Sequence, residues 1–162
     1  MIGSSAPTGP AYVTVLIAHV LCAVIGFGSV IVTGIEAIRA KGGPNVSGAE
    51  AVRRYFRPGV NWAGRVLYAV PVLGFLLISM SHGAYSTSDG WVVAGLLLWL
   101  GAAVLGELVL WPGERALQQI VTDHWSGTPA RDVDQVCNRV AASSLAMGVC
   151  FVAAVVLMTG KP

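Results

Sequence analysis

The stretch WVVAGLLLWLGAAVLGELVLW, from Trp91 to Trp111, decides the fold class of this chain. Glu107 is its only charged residue, and its terminal tryptophans lie 20 residues apart, about 30 Å at the rise of an α-helix. That length matches the hydrocarbon core of a bilayer. Tryptophan favours the headgroup level on either side of this core. We therefore predict a membrane-spanning helix over 91–111, with Trp91 and Trp111 at the two membrane boundaries.

Three further apolar stretches have the same character, and they cover residues 11–35, 62–80 and 140–159. Tyr12 and Trp62 open the first and second of them. The whole chain is 55% hydrophobic and only 11% charged, too few charges to cover the surface of a soluble domain. The period-2 alternation of a membrane barrel is absent. These observations predict an all-α fold, a four-helix transmembrane bundle forming one integral membrane domain over 1–162.

The basic residues predict the orientation of the bundle. The connection over 36–65 holds six of them and the connection over 112–139 holds three, whereas the turn over 82–90 and the residues before Ala11 hold none. Loops rich in Lys and Arg stay in the cytoplasm. We therefore expect both termini on the outer side of a bacterial plasma membrane. The first apolar run is too long for a cleaved signal peptide, so we expect it to be retained.

Short interfacial helices are predicted in both cytoplasmic loops. Ser47 and Glu50 have the spacing of a capping box that opens the sequence AVRRYF. We expect Arg53, Arg54 and Arg57 to face anionic headgroups such as those of cardiolipin. The apolar residues between them are expected to dip into the membrane interface, namely Val52, Tyr55 and Phe56. In the second loop, a helix over 114–123 is expected to continue beyond the membrane.

Glu107 is the only acidic residue within the predicted spans, roughly 6 Å below the cytoplasmic boundary that Trp111 marks. An intramembrane carboxylate indicates a proton path or an ion site by default. The simpler interpretation, which we favour, is structural. In it, Glu107 pairs with Arg65 at the cytoplasmic start of the second span or extends toward Arg115.

His19 and Cys22 lie one turn apart in the first span and could supply half of a metal site. The other histidines do not complete it, because His82 lies about 10 Å shallower by helical rise and His124 lies on the cytoplasmic side. The three cysteines form no CxxC pair. We therefore expect His19 to be a structural polar residue that bonds a neighbouring helix. No catalytic residue, metal site or cofactor is predicted, and the net charge of +2 is too small to favour nucleic acid.

Two further features concern helix packing. Small residues mark the first span, at Gly26, Gly28, Ser29, Thr33 and Gly34. They allow a close approach either by another helix of this chain or by a partner subunit. Pro71 removes one backbone hydrogen bond from the second span and is expected to kink it, more often for packing than for gating.

The segments LIAHVLCAVIGFGSVIVTG (16–34) and RYFRPGVNWAGRVLYAVPVLGFLLISMSHG (54–83) resemble a family of four-helix bacterial membrane proteins known as a domain of unknown function. The resemblance covers roughly residues 11–112, and it includes His19, the run Arg54–Tyr55–Phe56, Arg65 and Pro71. The richness in Ala, Gly, Val and Arg also looks actinobacterial. In that group such a protein is similar to an accessory subunit of the respiratory supercomplex that joins the cytochrome bc complex to cytochrome oxidase.

That resemblance implies a chain without its own cofactor, which functions by contact with other membrane subunits in electron transport. The expected function is therefore that of a non-catalytic accessory subunit of a larger assembly in the inner membrane. The alternative belongs to a different class of protein: a small transporter or metal-handling protein that uses His19, Cys22 and Glu107.

Overall fold

Five helices make up the described part of the chain, residues 9–45, 48–127 and 129–160 of a computed structural model. We number them α1 to α5, in the order Pro10–Ala40, Ala49–Tyr55, Trp62–Met80, Gly90–Thr122 and Ala130–Thr159. All except α2 are long and apolar enough to cross a membrane. The all-α, four-span fold predicted from the sequence is therefore confirmed.

Three spans are longer than their apolar runs. The first helix continues from Ile35 to Ala40, and α5 begins at Ala130, ten residues before the predicted start at 140. The third span does not end at Trp111 but continues as α4 to Thr122, so the helix expected beyond the membrane is the end of this same helix. In α1 the extension carries Glu36, which forms an ion pair with Arg39 at 2.5 Å. Because residues i and i+3 are neighbours on a helix, such pairs support helical structure beyond an apolar run.

Two spans contain irregular segments. In α3 a 3-10 turn over Val66–Tyr68 separates the α-helical segments Trp62–Arg65 and Ala69–Met80. This turn precedes Pro71, as expected for a proline that disturbs the preceding turn. In α4 a π-helical segment over Gly106–Leu110 joins two α-helical parts. Such π-segments are rare and often lie at functional sites.

The first helix lies at the centre of the packing and contacts α2, α3 and α5. Two of its small residues make these contacts close. A Cβ atom on Gly26 would lie 2.7 Å from the backbone nitrogen of Leu67, and one on Gly34 would lie 2.6 Å from Cβ of Ser144. A Cβ atom on Gly28 would meet no other described residue within 4 Å, its own helix backbone apart. The small residues therefore serve mainly contacts within this chain, and Gly28 is left on the outer surface.

The short helix α2 packs on the bundle, against α1 and the end of α4. Val52 and Phe56 are each only 1% exposed and belong to the core of the protein. The prediction that they insert into the membrane interface is wrong, because they pack against the ends of α1 and α4 that lie next to α2. Ser47 of the expected capping box lies outside the described residues, and α2 begins after Gly48, whose φ is 101°.

Large apolar side chains are exposed along all four spans. Leu108 is 72% exposed, Leu145 is 70% and Val72 is 66%. In water so many exposed apolar residues would drive aggregation. In a bilayer they are the expected lipid-facing surface, since lipid tails are as apolar as these side chains.

Candidate functional site

The side chain of Glu107 is held by residues of α3. The hydroxyl of Tyr68 donates a hydrogen bond to Oε1 of Glu107 at 2.6 Å, and Nη1 of Arg65 lies 4.0 Å from the same oxygen. The tighter contact is therefore with Tyr68, which the sequence interpretation did not consider. Arg65, the expected partner, stands at the outer limit of ion-pair distance. Arg115 makes no ion pair with Glu107 within the part of the chain that the structure describes.

Trp111, also on α4, contacts both Tyr68 and Arg65. Its indole Nε1 donates to the hydroxyl of Tyr68 at 3.2 Å, and the guanidinium carbon of Arg65 lies 5.3 Å from the centre of its ring. The cation and the ring face attract each other electrostatically. Trp111 is only 2% exposed, so its side chain packs inside the protein and does not face headgroups. We call Arg65, Tyr68, Glu107 and Trp111 the Glu107 cluster.

The Glu107 cluster opens onto the outer surface of the spans. The side chain of Glu107 is 55% exposed and that of Arg65 is 25% exposed. On the same helix, the neighbouring exposed side chains are all apolar, namely Leu100, Val104 and Leu108. The Glu107 carboxylate thus lies at the edge of a surface whose other side chains are apolar and suited to contact with lipid tails.

A second polar group joins α1, α2 and the start of α3. The hydroxyls of Thr33 and Tyr55 are 2.6 Å apart, and the hydroxyl of Ser29 donates to Oδ1 of Asn61 at 3.1 Å. The same Oδ1 accepts the backbone N–H of Gly64 and so caps the first turn of α3. Burial raises the pKa of the Tyr55 phenol. The sequence interpretation treated Ser29 and Thr33 as small packing residues and missed the function of their hydroxyls.

Glu114 adjoins this second group. It is only 7% exposed and interacts with the Asn61 side chain and with the charge of Arg65. A buried carboxylate needs such partners, since an unpaired charge is costly to bury. Its position, one turn beyond Trp111, was not recognised from the sequence because the helix was expected to have left the membrane there.

His19 is held by the neighbouring helix, as expected for a structural histidine. Its Nδ1 lies 3.0 Å from the carbonyl oxygen of Val70 on α3. The ring also lines a cavity of about 290 Å³ between α1, α3 and α4, to which neither Cys22 nor Glu107 contributes. The described residues contain no group of three His, Cys, Asp or Glu side chains that could hold a metal. The structure therefore does not bring together the three residues of the transporter or metal-handling alternative.

The three arginines of α2 and its C-terminal end have different surroundings. Arg53 donates to Nε2 of His124 at 2.7 Å and lies 3.9 Å from Glu50. Arg54 and Arg57 are exposed. Arg53 is exposed as well, so all three residues expected at lipid headgroups are turned outward, and Arg53 also ties α2 to the loop after α4.

No match was found to a curated protein or to a solved structure. A family profile, in contrast, matches residues 13–162 and so extends beyond the resemblance expected from the sequence to include α5. The family is described as predicted integral membrane protein (DUF2269). This agrees with the four membrane-spanning helices and with the expected membrane family. By sequence and by its four spans, the chain belongs to this family of predicted integral membrane proteins.

Proposed function

We propose that the chain is a non-catalytic subunit of a larger membrane assembly and that the Glu107 cluster faces its partner. The observation that carries this proposal is the 55% exposure of a carboxylate side chain on an apolar helix face. Polar groups exposed to hydrocarbon are costly, and ionisable residues within spans nearly always face protein or water. A partner helix over this face would remove Glu107 from lipid.

The hydrogen bonding of Glu107 indicates the chemistry of that partner. Oε1 receives the hydroxyl of Tyr68 and faces Arg65, whereas Oε2 has no donor among the described residues. An ionised carboxylate accepts hydrogen bonds on both oxygens. The proposed partner helix therefore carries a donor, either a basic side chain or a hydroxyl, at the depth of Glu107.

The sequence resemblance supplies the proposed assembly, the respiratory supercomplex of the cytochrome bc complex and cytochrome oxidase. In that assembly the haems and metal centres would belong to other chains. The proposed location is the bacterial plasma membrane with both termini outside, which nine of the ten basic residues support. Labelling of single cysteines placed at residues 86 and 126 by a membrane-impermeant reagent tests this orientation in intact cells: the first should react and the second should not.

Affinity purification in mild detergent tests the proposal directly. A tagged wild-type chain should recover membrane subunits in fixed ratio, with haem absorbance that belongs to them. Glu107→Leu should reduce their recovery about tenfold or more, because it leaves the partner's polar group unpaired, at a cost of about 2 kcal/mol or more. Glu50→Gln is the matched control, since Glu50 is a 76% exposed carboxylate outside the spans. Recovery of the chain alone, or equal recovery with both variants, would contradict the proposal.

Contact with an anionic lipid such as cardiolipin is part of the same proposal, and it is supported by the exposure of Arg54 and Arg57. Each basic residue near a charged membrane surface contributes about 1 kcal/mol. Reversing both charges should reduce the cardiolipin that co-purifies with the chain. The double variant Arg115→Glu with Arg131→Glu, which reverses two other exposed arginines, serves as the control for net charge. Unchanged lipid content in the double variant would exclude this contact.

The second candidate is the small transporter or metal-handling protein using His19, Cys22 and Glu107. It predicts a free homo-oligomer whose transport is lost in Glu107→Gln. The structure gives it less support than the subunit proposal, because the His19 cavity and the Glu107 cluster are separate sites. The same purification distinguishes the two, since only the subunit proposal requires other chains.

A further inference from the structure

The cavity beside His19 has the properties of a small-molecule site. It is formed where Val70, Pro71 and Gly74 of α3 face α1 and the outer half of α4. Its volume of about 290 Å³ is near the lower end of the range for ligand pockets, roughly 300–1,000 Å³. Such pockets are mainly apolar and aromatic, with a few polar groups that orient the ligand. This one has room for a single ring and the start of an attached chain.

Aromatic residues form much of the cavity wall. Tyr12, Tyr85 and Trp91 lie at the outer end, where Tyr85 and Trp91 are in edge-to-face contact with ring centres 5.7 Å apart, and Trp99 lies deeper. Flat rings pack favourably against such walls in stacked or edge-to-face geometry. The aromatic lining therefore favours a ligand that is itself an aromatic ring.

His19 is the polar group that would orient the ring. A carbonyl oxygen only accepts hydrogen bonds, so the contact with Val70 requires a proton on Nδ1 of His19. In the neutral imidazole, Nε2 is then an acceptor. Nε2 has no partner among the residues that the structure describes. The cavity thus offers one hydrogen-bond acceptor and requires a donor from its ligand.

The cavity is accessible from the bilayer. Its rim includes the partly exposed apolar side chains of Leu16, Val20, Phe75 and Leu96. His19 lies seven residues into the span from Tyr12, which is about 10 Å deeper by helical rise. A ligand would therefore enter sideways from the outer leaflet, and an attached hydrocarbon chain would remain in lipid.

We propose that this cavity binds a lipid-soluble aromatic alcohol, a ring whose hydroxyl donates to Nε2 of His19. Phenols with an alkyl chain and reduced membrane quinones (quinols) share this chemistry. The site is separate from the Glu107 cluster and does not depend on the proposed partner.

Binding to the chain in phosphatidylcholine nanodiscs tests this proposal, with empty nanodiscs as the blank. The probes are 4-heptylphenol and its methyl ether, which has nearly the same shape but no donor. Wild type should bind the phenol saturably and the ether about tenfold more weakly, as expected for one lost hydrogen bond. A short-chain quinol should behave like the phenol, and the corresponding oxidised quinone like the ether.

Two variants test the geometry. His19→Asn places an amide N–H close to the position of Nδ1 and removes the acceptor at Nε2, so it should bind phenol and ether equally weakly. Val92→Phe fills the cavity and should abolish saturable binding of both probes. Equal binding of phenol and ether by wild type would mean that the cavity takes hydrocarbon only and would overturn the proposal. Undiminished phenol binding by Val92→Phe would overturn it as well. If His19→Asn fails to fold, the comparison of phenol with ether in wild type still decides.

Discussion

The indole Nε1 of Trp99 donates a hydrogen bond to the carbonyl oxygen of Leu67 at 3.0 Å, from α4 to α3. Leu67 is the residue four positions before Pro71, and proline has no N–H to give to that carbonyl. Trp99 thus replaces the donor that Pro71 lacks. The irregular turn before Pro71 and the contact of Trp99 with it are parts of one arrangement.

Trp99→Phe should therefore destabilise the protein, because it removes the indole N–H that donates to Leu67 and also makes the ring smaller. The expected loss from the hydrogen bond alone is about 1 kcal/mol, since the backbone N–H of Ala69 is also directed at this carbonyl. Thermal unfolding in detergent, followed by circular dichroism, measures it. Trp62→Phe is the control, because Trp62 is 74% exposed. Equal midpoints for the two variants would show that the bond to Leu67 contributes nothing.

Gly26→Ala should destabilise the contact between α1 and α3. The added Cβ would meet the Leu67 backbone at 2.7 Å, and such overpacking costs about 1–3 kcal/mol. Gly28→Ala has open space around it and should leave stability unchanged or raise it by up to about 1 kcal/mol, from better helix propensity. The thermal midpoints of the two variants give the comparison. Equal thermal midpoints for Gly26→Ala and Gly28→Ala would contradict the close approach of α1 and α3.

Ser144→Ala should stabilise the contact between α1 and α5. The hydroxyl of Ser144 is buried without a hydrogen-bond partner among the described residues, whereas its Cβ faces Gly34 and would remain in the variant. Removing an unsatisfied buried hydroxyl is worth about 1 kcal/mol. Ser143→Ala removes a hydroxyl that donates to Val140 at 2.9 Å and should be neutral or destabilising. The opposite order of thermal midpoints would contradict this account.

Phe56→Ala should release α2 from the bundle without unfolding the spans. Phe56 is 1% exposed, and truncation of a buried Phe typically costs about 3–5 kcal/mol. Hydrogen–deuterium exchange over 49–55 should accelerate, while exchange within α1 and α5 should stay slow. Arg57→Ala, an exposed neighbour, should change neither. Unaltered exchange in Phe56→Ala would place α2 on the membrane surface, as the sequence alone suggested.

The four spans could be predicted from the sequence because they depend on local properties, namely length and apolar content. Their ends could not. The first helix continues through Glu36 and Arg39 because the two side chains pair along the helix, and α5 begins early although its first turns are polar. In these extensions, helical structure depends on side-chain pairs and tertiary contacts, which a hydropathy pattern does not contain.

The residues of the site were predicted only in part. Glu107 and Arg65 were recognised because charges within spans are rare, and the contact of His19 with a neighbouring helix was expected. Tyr68 was missed because its amphipathic ring is common in any membrane helix. Trp111 was placed at the headgroups by a general preference of tryptophan, but contacts with Tyr68 and Arg65 hold it inside the protein. Such contacts depend on which helix faces meet.

The π-helical segment of α4 also determines which side chains of that helix face the protein interior. Ala102, Gly106, Leu110 and Glu114 are all buried, at a constant spacing of four residues. In a regular α-helix each such step advances about 40° around the axis, so three steps would turn the last residue about 120° away from the first. The wider turn over Gly106–Leu110 absorbs this drift. It therefore allows a single unbroken helix to keep one inner face from Ala102 to Glu114, while Glu107, within the π-helical segment, stays on the outer surface.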